Sequence, residues 1–205
     1  MALKTTVKVS GVNNLSDARY CAGMGVALIG FDLTPGSPNF LLPEKAREIA
    51  GWLAGASIVG EITGPAVPAW ADYPLAALQV DNETALGAVQ TSGLPVWYAI
   101  EVTLAADLAL AESTMQQLSD QVTGFLLHGS IELAGSVHQT LASLASRFPI
   151  LLGIGIGDNV LELLESIRPL GLALQGGQES RPGWKDFDEM AAVLDRLEVE
   201  DGVEY

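Results

Sequence analysis

Thr6-Val7-Lys8-Val9-Ser10, the turn Gly11-Val12-Asn13-Asn14, a helical stretch entered through Ser16-Asp17, and then Ala27-Leu28-Ile29-Gly30-Phe31-Asp32-Leu33 form one unit of a repeating pattern. Both outer runs are short and almost wholly β-branched or apolar, the mark of strands covered on both faces in a parallel sheet. The same alternation continues along the chain. Further strands are expected at Ser57–Ile62, Ala76–Val80, Pro95–Val102, Gly124–His128, Ile150–Gly153 and Gly171–Leu174. Helical spacing covers a segment opened by Pro43-Glu44-Lys45-Ala46-Arg47, with proline in its first turn, and then Gly64–Asp72, Glu83–Gln90, Leu104–Gln121, Ile131–Arg147, Val160–Ile167 and Asp186–Leu197. Gly64–Asp72 is the weakest of these, because Pro65 and Pro68 interrupt it.

Alternation of strand and helix eight times over 205 residues leaves two architectures, a closed (β/α)8 TIM barrel or a doubly wound open sheet. The strand count favours the barrel, and Gly11-Val12-Asn13-Asn14 is not the phosphate-binding glycine loop that follows strand one of a doubly wound sheet. The expected fold is therefore α/β, a compact (β/α)8 barrel with short loops, since such barrels more often run to about 250 residues. One domain is expected over residues 1–197, with an acidic tail over 198–205 that is solvated or frayed.

With 25 Asp+Glu against 10 Lys+Arg, the formal net charge is -15, and 49% of residues are hydrophobic. That composition excludes disorder, and its charge repels phosphate backbones and anionic lipid heads, so neither a nucleic acid nor a membrane is an expected partner. Met1–Gly11 lacks the pattern of a secretory signal and there is no long apolar run, so the expected location is cytoplasmic. Cys21, the single cysteine, is expected to be a buried core thiol.

The stretch Val7-Lys8-Val9-Ser10-Gly11-Val12-Asn13-Asn14-Leu15-Ser16-Asp17-Ala18, with Gly30-Phe31, Pro35-Gly36-Ser37-Pro38 and Pro43-Glu44-Lys45-Ala46-Arg47-Glu48-Ile49, resembles the N-terminal third of phosphoribosylanthranilate isomerase, the (β/α)8 barrel of tryptophan biosynthesis. Asn159-Val160, Ile167-Arg168-Pro169, Gly177, Glu179, Pro182-Gly183 and Lys185-Asp186 extend the resemblance to the other end. It implies an Amadori rearrangement of an N-linked ribosyl aminoaldose to an aminoketose, which needs a general acid to open the ring and a general base to remove the C2 proton. In the family the base is a cysteine ending strand one; Ser10 stands there. A serine hydroxyl without an activating partner holds no useful basic form at neutral pH. The family's general acid, an aspartate ending strand six, falls on His128, which titrates near neutrality and can donate a proton. Its carboxylate-binding arginine falls on Asn39, and a buried aspartate on strand eight appears as Ala173.

On this fold active sites lie at the C-terminal ends of the strands, which here read Ser10, Asp32, Glu61, Asp81, Glu101, His128 and Gln175. If the four carboxylates converge, a hard cation, a cationic ligand or shared protons must compensate them. The plainer reading is that Glu61 or Asp32 is the counter-charge of Lys8, which points into the barrel two residues before Ser10. The loops Gly153-Ile154-Gly155-Ile156-Gly157-Asp158-Asn159 and Gln175-Gly176-Gly177 follow strands seven and eight, where barrels of this class often hold a phosphate.

Candidate catalytic residues are thus Ser10, His128, Asp32 and Glu61; substrate-binding candidates are Asn39, Asp81, Glu101 and Gln175; phosphate-binding candidates are Gly153, Gly155, Gly176 and Gly177. No resident metal and no cofactor is expected. The first reading of function is a diverged barrel that has lost the family's isomerisation and binds a small molecule, phosphorylated if the glycine loops hold phosphate, or a partner. The alternative is an active or altered-specificity sugar-phosphate isomerase that uses His128 as acid and base with the acidic strand ends. A monomer and a homodimer are both compatible with the surface pattern.

Overall fold

The computed structural model describes residues 2–176, 179–181, 184–185 and 188–199. Eight parallel strands close into a barrel in sequence order: β1 (Thr6–Ser10), β2 (Leu28–Asp32), β3 (Ser57–Ile62), β4 (Ala77–Val80), β5 (Val96–Glu101), β6 (Gly124–His128), β7 (Ile150–Gly153) and β8 (Gly171–Gln175). The first and last strands seal the sheet, with Lys8 opposite Ala173 and Ser10 opposite Gln175. Closure removes the sheet edges, so every strand can be apolar without offering an unpaired ladder.

Alternation along each strand separates two cores. Leu28, Val59, Ala77, Trp97, Ala99, Leu126, Leu151 and Ala173 pack with one another inside the barrel. Strand residues of the opposite parity, among them Val7, Val9, Ile29, Phe31, Phe125 and Leu127, belong to a second, larger core beneath the helices. Each such large side chain, fully buried, contributes about 1.5–3 kcal/mol. Trp97 fills the barrel because Gly124 on β6 leaves it room: a Cβ there would stand 2.6 Å from the indole.

Seven helices are present among the described residues: α1 (Leu15–Gly23), α2 (Pro43–Ala50), α3 (Glu83–Val89), α4 (Asp107–Leu118), α5 (Ser136–Ala145), α6 (Val160–Ser166) and α7 (Asp188–Leu197). Asn14 and Asn82 cap α1 and α3, their side-chain oxygens accepting from Asp17 N and Ala85 N at 2.9 Å. The helix expected over Gly64–Asp72 does not form. A 3-10 turn over Trp70–Asp72 is all that remains of it, because Pro65 and Pro68 deny the segment its backbone donors and fix φ. Two others are shorter than their spacing suggests. The carboxylate of Asp107 takes the N–H groups of Thr103 and Leu104 and so closes a turn ahead of α4, while Gly135, at φ +53°, bars α5 from extending towards Ile131.

A short antiparallel pair, β9 (Glu179–Arg181) and β10 (Trp184–Lys185), follows β8 and has no counterpart in the sequence expectation. The start of the acidic tail is docked, with Glu198 bridged to Leu3 and Val199 N bonded to Ala2 O at 2.9 Å; residues 200–205 lie outside the described residues. Cys21 is fully buried. Among the described residues no helix is long and apolar enough to cross a membrane.

Candidate active site

Period-2 alternation sets the mouth of the barrel. Counting outward from the interior layer in steps of two, Lys8 leads to Ser10, Val59 to Glu61, Ala99 to Glu101, Leu126 to His128 and Ala173 to Gln175. These five strand-end candidates therefore stand on the inward side at one end of the barrel. Their side chains do not gather into one cluster, and among the described residues no three His, Cys, Asp or Glu side chains come together as metal ligands.

Each carboxylate has its own local task. Glu61 forms an ion pair with Lys8, whose side chain is wholly buried, and its other oxygen accepts from Gly11 N at 3.0 Å. Asp32 is turned into its own loop, where it accepts from Thr34 N at 2.8 Å and from the Ser37 hydroxyl. Asp81 accepts from Gly64 N at 2.9 Å and from Asn82 Nδ2 at 2.7 Å, tying the loop after β3 to the start of α3. Glu101 is exposed on the rim beside His128, its register partner on β6. Near it on the rim, Asp107 has its carboxyl held below the ordinary aspartate value by the main-chain N–H groups of Leu104 and Thr103. Burial raises the phenols of Tyr73 and Tyr98, and Glu44 and Glu83 respectively reinforce the shift.

Ser10 ends β1, 7% exposed, with Lys8 Nζ 2.6 Å from its oxygen. His128 is half-buried and lies across the barrel, with β7 and β8 between it and β1. Asn39 is exposed on the loop after β2, its Oδ1 accepting from Asn13 Nδ2 at 3.0 Å. Beyond β7 and β8 there is a cavity of about 540 Å³, walled by Gly153, Gly155, Gly176, Gln175, Ile156 and, from α7, Met190 and Glu189. Two of these glycines have packing reasons of their own. A Cβ on Gly155, at φ +64°, would meet Leu133 at 2.4 Å, and one on Gly176 would meet Ser10 O at 2.8 Å. Asp158, the acid beside this loop, is paired with Arg196 at 2.8 Å. Gly177 lies outside the described residues.

No model of a known protein family matches the chain. Individual proteins do. The N-(5'-phosphoribosyl)anthranilate isomerase of Syntrophus aciditrophicus (strain SB) is 32% identical over 200 residues, covering 93% of this chain and 86% of that protein. This chain belongs to the phosphoribosylanthranilate isomerase family. The family's crystal structure from Thermus thermophilus superposes with a TM-score of 0.73 at 26% identity, covering 94% of this chain and 98% of that one. A phosphoribosyl anthranilate isomerase solved in complex with reduced 1-(o-carboxyphenylamino)-1-deoxyribulose 5-phosphate superposes with a TM-score of 0.74 at 23% identity, covering 94% of this chain and 98% of that one. The (β/α)8 fold expected from the alternation is thus the family's fold.

The floor of the mouth is polar. Glu61 supplies the counter-charge for Lys8 that Ala173 lacks, and Gly30 makes room for it: a Cβ at that position would lie 2.1 Å from Glu61 Oε1. Opposite Glu61 in register stands Gln79, whose Oε1 is buried without a hydrogen-bond partner among the described residues. Reading the strand ends alone missed Gln79. The signal was present, since a glutamine in the otherwise apolar strand Ala77–Val80 has to face inward by the same period of two.

Proposed function

We propose that this member of the family binds a small phosphorylated molecule across the barrel mouth and has lost the Amadori isomerisation. The observation that carries this reading is the state of the β1 end. A general base needs a lone pair free to take a substrate proton. Ser10 Oγ accepts from the Lys8 ammonium, which draws electron density from the oxygen and makes it a poorer proton acceptor, and Glu61 has both oxygens engaged, by Lys8 and by Gly11 N. General acid and general base groups each contribute about 10²–10⁴-fold to rate, so removing the base alone is severe. Asn39, a neutral amide, adds to the loss at the position where the resemblance places an arginine for the substrate carboxylate. Support for a phosphorylated ligand comes from the glycine-walled cavity after β7 and β8, where main-chain groups can approach an anion and Asp158 is offset by Arg196.

The second reading, ordinary isomerisation with His128 as proton donor, is favoured by the 32% identity to the Syntrophus protein over nearly the whole chain. Turnover of phosphoribosylanthranilate separates the two. The wild-type protein is expected to show none above background, and a Ser10→Cys, His128→Asp, Asn39→Arg triple variant partial recovery. Wild-type turnover that Ser10→Ala leaves unchanged but His128→Ala abolishes would establish the second reading instead.

A further inference from the structure

Surface charge is distributed unevenly among the helices. The chain has a formal net charge of -15, and five helices present charged residues to solvent: Arg19 on α1, Glu44 on α2, Glu83 on α3, Glu162 on α6 and Glu189 on α7 are all exposed. The adjacent helices α4 and α5 do not. α5 contains no Lys, Arg, Asp or Glu. The two acids of α4 are half-buried and engaged, Asp107 with the N–H groups of Thr103 and Leu104, and Glu112 with Arg147 at 2.6 Å.

The outer face that this leaves is uncharged and partly apolar. Along α4 it runs through Ala106, Ala109, Leu110, Ser113 and Gln117, all exposed and at helical spacing, on the side opposite the buried Leu108 and Met115. Leu110 is 70% exposed, and Leu104, in the turn that leads into the helix, 65%. Gln139 and Ser143 continue the face onto α5. A single exposed leucine needs no explanation, but two on one face without charge mark a surface suited to contact.

We propose that this face joins two copies of the chain about a two-fold axis, α4 and α5 of one against α4 and α5 of the other. Charge selects the occupant. Two molecules of net charge -15 repel one another, and they associate most readily where the fewest charges lose their water. A contact of the same patch on both copies buries only acids already engaged within their own copy. A basic partner would find no free acid on these two helices to neutralise. Ala109 and Ser113, one turn apart, let two helix backbones approach, and Leu110 and Leu104 fill the space beside them. α4 has 12 residues and α5 has 10, so the face is about 18 Å long and, at two helices wide, about 20 Å across. That is small beside the roughly 800 Å² per partner of a standard interface, so the dimer is weak and reversible. The contact lies on the flank of the barrel and leaves both mouths open.

Sedimentation equilibrium of the full chain over a range of concentrations tests it. The wild type passes reversibly from monomer to dimer. Association strengthens several-fold when salt is raised from about 0.05 M to about 0.5 M, because salt screens the repulsion between copies and no ion pair between them is lost. Leu110→Glu places like charges across the contact and weakens association by at least about tenfold, while its thermal melt matches wild type because Leu110 is exposed in the monomer. Trp52→Glu is the control: Trp52 is 66% exposed in the loop after α2, away from α4 and α5, and its replacement leaves association unchanged. Three results overturn the proposal: a wild type that stays monomeric up to about 1 mM, association that salt weakens, or association that Trp52→Glu abolishes and Leu110→Glu spares.

Discussion

Replacing Lys8 by methionine removes the cation from an ion pair whose side chains are 0% and 10% exposed, and leaves Glu61 as a carboxylate in the barrel interior. Breaking one side of a buried pair costs about 3–5 kcal/mol, because the remaining charge stays desolvated without compensation. Glu61 keeps one donor, Gly11 N at 3.0 Å, which places the expected cost near the lower end, about 3 kcal/mol. For a chain of this size about 1 kcal/mol moves the melting temperature by about 2–4 °C, so Lys8→Met should melt about 6–12 °C below wild type. Removing both charges is a different perturbation. In Lys8→Met, Glu61→Leu two apolar side chains of similar volume replace the pair, and the missing Cβ of Gly30 leaves space for the leucine. The remaining cost is then chiefly the unpaired Gly11 N–H, about 1 kcal/mol. Urea unfolding followed by circular dichroism, on the two single variants and the double, gives the coupling directly. A Lys8→Met variant within about 1 kcal/mol of wild type, or a double variant less stable than the sum of the singles, would refute the buried-pair argument.

Two smaller perturbations follow from the loops that shape the mouth. Asn82→Ala removes the cap of α3 and the bond from Nδ2 to Gly64 O at 2.8 Å, and should cost about 1–2 kcal/mol in the same unfolding assay, with Asn82→Asp restoring the cap alone. Asp107, whose carboxyl is depressed by the N–H groups of Leu104 and Thr103, contributes stability that is fully present above the unfolded aspartate value of about 3.9 and is lost as pH falls through its lower folded value. The melting temperatures of wild type and Asp107→Asn should therefore differ at pH 6 and converge as the pH approaches about 2; a gap that stays constant across that range would count against the assignment.

Much of the fold can be read from the chain because a parallel barrel imposes the same local demand eight times. Thr6–Ser10, Ser57–Ile62, Gly124–His128 and Ile150–Gly153 coincide with the observed strands residue for residue, since each is a short apolar run bounded by turn residues. The misses fall where local propensity is weak or is interrupted. Gly64–Asp72 has helical spacing but two prolines, and the prolines win. Leu104–Ala106 continues the helical pattern of α4 outward, yet Asp107 offers its carboxylate to the preceding N–H groups and makes a turn there. The pair β9–β10 rests on runs of two and three residues, too short to show any period.

By itself the sequence determined the barrel, the inward direction of Lys8 and the resemblance to the family, whereas the caps of α1 and α3 by Asn14 and Asn82 came with the structure. It also required that Lys8 have a counter-charge, since an unpaired lysine inside a barrel is untenable. Only the tertiary structure decided which acid that is. Asp32 and Glu61 are register partners on adjacent strands. Asp32 is followed by Thr34 and Ser37, whose N–H and hydroxyl satisfy it within five residues. Glu61 has Thr63 at the same offset, but that N–H donates to Thr34 Oγ1 at 2.9 Å, and Glu61 reaches across to Lys8 and Gly11, 53 and 50 positions away. Periodicity along a strand states which way a side chain points; whom it meets there depends on segments far apart in the chain, brought together when the sheet closes.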